Sequence, residues 1–184
     1  MSKKRKVIRE WIKAAAVAIL VVGFIRFFLL TPIFVDGYSM MPTLKDNERL
    51  LVNKVSYVFK EPKRFDIIVF RDEEGREYIK RIIGLPGDTV EYRDDILYIN
   101  GKPYKEKYLK KYKQQLIDGG PLTEPFTLSD SIGRKTVPEN HLFVLGDNRR
   151  YSKDSRHIGV ISYDRVLGKA SLVFSPVKDT RFVK

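Results

Sequence analysis

No cysteine, two histidines and a single tryptophan occur in the 184 residues. Without cysteine there can be no disulfide and no thiolate metal site, so a folded domain must rest on its own core. Two histidines are too few for a histidine-rich zinc centre; no metal and no other cofactor is expected. Internal repeats and low-complexity tracts are missing. After the N-terminal region, so are long segments with a 3.6-residue hydrophobic period, which fits a mixed α/β domain poorly. Only one long apolar run is present, and it lies near the N-terminus.

What is there supports a folded chain. Apolar content of 43% and aromatic content of 12% are enough for one packed domain and argue against disorder. The net charge is +12. Residues 1–13 hold Lys3, Lys4, Arg5, Lys6, Arg9 and Lys13 against Glu10, a net of +5, which leaves +7 scattered over the rest. Scattered Lys and Arg form a solvated surface, so a nucleic-acid partner is not expected. The same charge suits anionic lipid headgroups better.

Residues 14–30 read AAAVAILVVGFIRFFLL, with Arg26 as the one charge. Extended a few residues each way, the run reaches the roughly 20 residues that a membrane helix needs. Trp11 sits where an interfacial aromatic belongs, and the basic cluster before the run places the N-terminus in the cytoplasm. Arg26 falls in the outer half, where its long side chain can reach the far interface. A cleaved signal peptide shares these features, but residues 31–35, TPIFV, offer no small-x-small cleavage site. The expected organisation is a cytoplasmic tail over 1–13, a single-pass anchor over 14–33 and an extracytoplasmic domain over 34–184.

Beyond the anchor the apolar pattern is short and strand-like. Strands are expected over 48–53, 65–70, 78–83, 89–92, 96–99, 141–145 and 170–174. Asn100-Gly101 is a tight-turn signal, and Asp94-Asp95 turns the strand before it. Residues 104–140 are polar, with glycine and proline, and read as an insertion with some helix near 105–116. The fold class is mainly β, an antiparallel sheet domain behind one N-terminal helix.

Three stretches carry candidate chemistry. Ser39 stands between Asp36-Gly37 and Pro42, residues that shape a turn able to expose a side chain; a plain turn serine reads the same way. In a strand, Lys80 and Arg81 point to opposite faces, each among apolar neighbours. One of them must then enter apolar surroundings, unless both lie in solvent at an edge. A desolvated lysine loses affinity for its proton and can act as a base, which arginine cannot. The stretch 146–156 packs Asp147, Asn148, Arg149, Ser152, Asp154, Ser155 and Arg156 behind the strand at 141–145. Such density can lock a loop and orient a base, and is equally the make-up of a surface loop.

The three stretches together resemble the bacterial type I signal peptidases, membrane-anchored serine proteases with a Ser/Lys dyad. The signature S-M-x-P-T stands as Ser39-Met40-Met41-Pro42-Thr43. Y-x-K-R followed by G-x-P-G-D stands within 78–88, and G-D-N-R-x-x-S-x-D-S-R stands complete over 146–156. The short length and single anchor are most like the Gram-positive branch. The resemblance implies Ser39 as nucleophile and Lys80 as general base. It implies Ser152 as the hydroxyl that orients the lysine, with Asp147, Arg149, Asp154 and Arg156 holding loop and strand together. The Ser39 backbone N–H would serve the oxyanion. Some relatives add a hydroxyl two residues before the nucleophile, where this chain has Gly37. Val35, Met40, Leu44 and Ile79 occupy the positions of the pocket wall. Cleavage after small-x-small sites of exported preproteins follows, by an enzyme that functions as a monomer. Two other readings remain at this stage: a Ser-His-Asp protease using His141 or His157, and a non-catalytic membrane-anchored module.

Overall fold

A computed structural model describes residues 3–24, 29–57 and 60–183. The chain begins with α1 (Lys3–Phe24) and continues through β1 (Leu30–Phe34), β2 (Arg49–Asn53), β3 (Ile67–Arg71) and β4 (Glu77–Gly84). Next come β5 (Val90–Arg93), β6 (Ile96–Ile99), β7 (Lys102–Tyr104), α2 (Lys110–Gln114), β8 (Phe126–Thr127) and α3 (Leu128–Ile132). It ends with β9 (His141–Leu145), α4 (Ser155–Ile158), β10 (Ile161–Ser162), β11 (Val166–Ser175) and β12 (Arg181–Phe182).

The expected antiparallel architecture is present as two sheets. The larger runs β1-β2-β11-β3-β4-β9-β10, with β12 beside β11, and the smaller runs β7-β6-β5-β8. Each of the seven expected strands appears, within a few residues of its expected bounds. Asp94 and Asp95 both have positive φ, as do Asn100 and Gly101. Two-residue turns of that kind match the twist of antiparallel strands. They fold β5, β6 and β7 into a meander.

The apolar faces form three clusters. One gathers Val35, Met40 and Leu44 against β2, β3 and β11. A second lies between the two sheets around Tyr92, Leu97 and Phe143. The third covers the other face of β3, β4 and β9.

The expected anchor overlaps the sheet at its outer end. Leu30–Phe34 is strand, paired with β2 from Leu30↔Asn53 to Phe34↔Arg49. Pro32 has no N–H to donate, and β1 is an edge strand, where that lack costs no ladder bond. Arg26, expected to reach the far interface, lies outside the described residues. Among the described residues no helix is long and apolar enough to cross a membrane. Trp11, Ile19, Leu20 and Val22 of α1 all stand exposed.

Candidate active site

The turn that carries Ser39 is pinned from both ends. Val35 exchanges backbone bonds with Glu48 and Asn47. Gly37 takes a φ of +88°, and its N–H donates to Asp46 Oδ1 at 2.8 Å. Met40 and Leu44 are fully buried and pull the inner face of the turn into the core. Ser39 is left half-buried at the surface of a cleft. Its carbonyl accepts from the Asn148 N–H at 3.0 Å, and the Asn148 side chain donates to the Tyr38 carbonyl at 3.1 Å. The stretch after β9 therefore grips the backbone on which the serine rides.

Strand β4 brings Lys80 to it. The amine donates to Ser39 Oγ at 2.8 Å and to the Ile79 carbonyl at 3.0 Å, with the Tyr78 ring 5.4 Å away. Lys80 is 2% exposed and Arg81 is fully buried, so neither cation of β4 stands in solvent. Burial lowers the Lys80 pKa to about 8, against the opposing pull of Asp154 and Asp147. Desolvation outweighs the two carboxylates because neither touches the amine.

Arg81, by contrast, is fully compensated. Its guanidinium meets Asp147 through two bonds of 2.9 and 2.7 Å and donates to the Phe65 carbonyl at 2.8 Å. Thr43 gives its hydroxyl to the same carboxylate, which ties the serine turn to β4 and to the start of the loop. Arg149 is also buried. It bonds the Gly146 carbonyl at 3.0 Å, Glu106 at 2.5 Å and the hydroxyls of Tyr92 and Tyr108. Burial pushes both phenols well above the usual tyrosine value, so they stay neutral. Asp154 accepts from the Gly146 N–H at 3.0 Å and from the Arg156 guanidinium at 2.8 and 2.9 Å. Arg156 in turn donates to the Arg149 carbonyl at 2.8 Å. Asp147, Arg149, Asp154 and Arg156 thus form one lattice.

Ser152 is brought into the site, but its expected bond to Lys80 is not made. Its hydroxyl is buried and has no hydrogen-bond partner among the described residues. It lies against Gly146, where an added Cβ would meet Ser152 Oγ at 2.1 Å and the Ser39 carbonyl oxygen at 2.4 Å. Only glycine leaves room there for both serines.

The cleft holds about 610 Å³ and is lined by both Ser39 and Lys80. Val35, Met40 and Ile79 line it, whereas Leu44 lies wholly in the core behind them. Pro32, Ile33 and Phe34 of β1 form one wall and Tyr151 and Lys153 another. Sequence reasoning missed the β1 residues because β1 reads as the end of the anchor, and it passed over Tyr151 and Lys153 because neither has a role in the 146–156 signature. Neither histidine belongs to the site. The His141 ring bonds the Glu139 carbonyl, and His157 stands exposed in α4. The serine–lysine pair, rather than a triad, is what the fold assembles.

Residues 8–175 match the family model described as signal peptidase, peptidase S26. The chain belongs to that family. It is 48% identical over 166 residues to signal peptidase I of Bacillus caldolyticus, covering 90% of this chain and 91% of the relative. It is 44% identical over 184 residues to signal peptidase I T of Bacillus subtilis, covering 99% of this chain and 93% of the relative. A crystal structure of a signal peptidase I from Enterococcus faecalis aligns with a TM-score of 0.57 at 48% identity. That alignment covers 60% of this chain and 97% of the other. The peptidase is a serine endopeptidase of this family, and its sheet domain has that family's fold.

Proposed function

We propose that Ser39 and Lys80 are the nucleophile and general base with which this peptidase removes signal peptides from exported preproteins. The observation that carries the reading is the 2.8 Å contact between Ser39 Oγ and a buried lysine amine whose pKa falls to about 8. Neutral Lys80 takes the serine proton as Oγ attacks the scissile carbonyl carbon. The C–N bond then breaks, and the leaving amine takes the proton from Lys80. Water next attacks the acyl ester, giving its proton to Lys80. The ester C–O bond breaks, and the proton returns to Ser39. The Ser39 N–H donates no bond among the described residues and is available to the oxyanion. The Gly37 N–H is already committed to Asp46.

Substrate shape follows from the cleft. Among the described residues one edge of β1 is unpaired, and β4 pairs with β9 only from Arg81 onward, so residues 77–80 keep an open edge. An extended peptide can add there as a strand. Bulky Val35, Met40 and Ile79 leave shallow pockets that admit small side chains, hence small-x-small sites. The exposed apolar residues of α1 support membrane anchoring, and the basic cluster over 3–13 supports an N-terminus inside. Anchoring raises the effective concentration of a substrate held in the same membrane.

The test is cleavage of a preprotein carrying an Ala-x-Ala site, with the product's N-terminus sequenced. Ser39→Ala, Lys80→Met and Lys80→Arg should each abolish turnover, the last because guanidinium stays protonated. Near-normal turnover by any of them sinks the dyad. For topology, protease added outside wall-stripped cells should digest the sheet domain; full protection would reverse the orientation.

A further inference from the structure

Four cations stand in the stretch 146–156, and three are spoken for. Arg149 pairs with Glu106 at 2.5 Å, Arg150 with Asp118 at 2.5 Å and Arg156 with Asp154 at 2.8 Å. Arg150 also gives two bonds to the Pro121 carbonyl, which turns it away from the cleft. Lys153 has no carboxylate partner among the described residues, is exposed, and lines the same cleft as Ser39 and Lys80. Its place is fixed by its neighbour: Ser152 turns inward against Gly146, which leaves Tyr151 and Lys153 facing out. Tyr151 is 78% exposed.

The direction of the substrate says which residues meet this lysine. Strand β1 leads from the α1 side of the chain toward Ser39, and its apolar residues 32–34, with Val35 just after them, form the wall on that side. A signal peptide leaving the same membrane follows that wall, so its residues before the cut lie along β1. The residues after the cut then emerge past the dyad toward Tyr151 and Lys153. The other charges on the cleft are Asp36 and Glu77. Glu77 belongs to β4 and is engaged by Arg71 at 3.1 Å, and Asp36 follows β1.

We propose that Lys153 reads the charge of the first residues of the mature protein, favouring acidic and disfavouring basic side chains just after the cut. The inference rests on the dyad reading above and adds a substrate preference to it. An exposed amine in water supports modest discrimination, about threefold to fivefold for one carboxylate. Salt should weaken it, because the Debye length shrinks to about 3 Å at 1 M.

The experiment compares kcat/KM of the full-length enzyme in neutral detergent for two preproteins. They are identical except for Asp or Lys at the first position after an Ala-x-Ala site. The wild type should favour Asp about threefold to fivefold at low salt. Lys153→Gln should bring the ratio near one, Lys153→Glu should invert it, and Lys153→Arg should keep it. High salt should flatten the wild-type ratio. Equal rates for both substrates, or a ratio unmoved in Lys153→Glu, would overturn the inference while leaving the peptidase reading intact. Failure of the wild type to cut either substrate would sink both.

Discussion

Burial holds the Lys80 amine at a pKa of about 8, below its ordinary value of 10.5. Two consequences run in opposite directions. Turnover should rise with pH through about 8, as the neutral base accumulates. Stability bears the cost of the same shift. Below pH 8 the folded state must hold a buried charge, and the penalty fades between pH 8 and 10.5 as the folded lysine releases its proton first. Lys80→Met should therefore stabilise the inactive enzyme by on the order of 2–3 kcal/mol at pH 7 and by little at pH 11. Denaturant unfolding at the two pH values measures this; a less stable variant at pH 7 contradicts it. Ser152 poses a related question, since its buried hydroxyl has no partner among the described residues. We infer that it orients the lysine during turnover. Ser152→Ala should lower kcat about 10²–10⁴-fold with an unchanged melting temperature. An alanine variant with wild-type kcat would make Ser152 a packing residue only.

The segment between β7 and β9 shows what an element contributes when its sequence looks like filler. It reads as a polar insertion with a little helix, and α2 does lie where helix was expected. Yet Leu109, Leu122 and Val137 are buried, and Glu106 and Tyr108 reach the Arg149 guanidinium. Glu106→Gln leaves that guanidinium buried without its counter-charge. It should destabilise the fold by about 3–5 kcal/mol, the usual cost of breaking a buried pair. Adding Arg149→Met should recover part of the loss, which equilibrium unfolding of the double mutant would show. If the single variant unfolds like the wild type, the segment is dispensable filler after all. Local signals were legible where the chain speaks to its near neighbours. Asp94-Asp95 and Asn100-Gly101 announce their turns, and alternation in 78–83 announces β4. The serine, the lysine and the polar loop were legible as three motifs. Their mutual distances were not, because Thr43–Asp147 and Arg149–Glu106 contacts join residues 104 and 43 positions apart. Strand β1 stayed hidden because its residues read as the outer end of the apolar run before it.

At the scale of the whole molecule, the larger sheet has an unexpected order. Strand β11, made after every other strand of that sheet except β12, lies between β2 and β3. The registers are Ala170↔Val52 on one side and Lys169↔Ile68 on the other. The turn bearing Ser39 packs on the β2 side of that strand, and Lys80 comes from β4 beyond β3. A chain ending at residue 165 retains both dyad residues and the polar loop, yet it should be inactive and lack a cooperative unfolding transition. Retained cleavage by that truncation would show that the two halves hold together without β11. The arrangement also sets a timetable. Contacts across such long separations close slowly and late, and a growing chain meets its own nucleophile well before the strand that aligns it. The enzyme is thus born silent. Its proteolytic power waits until β11 has been made.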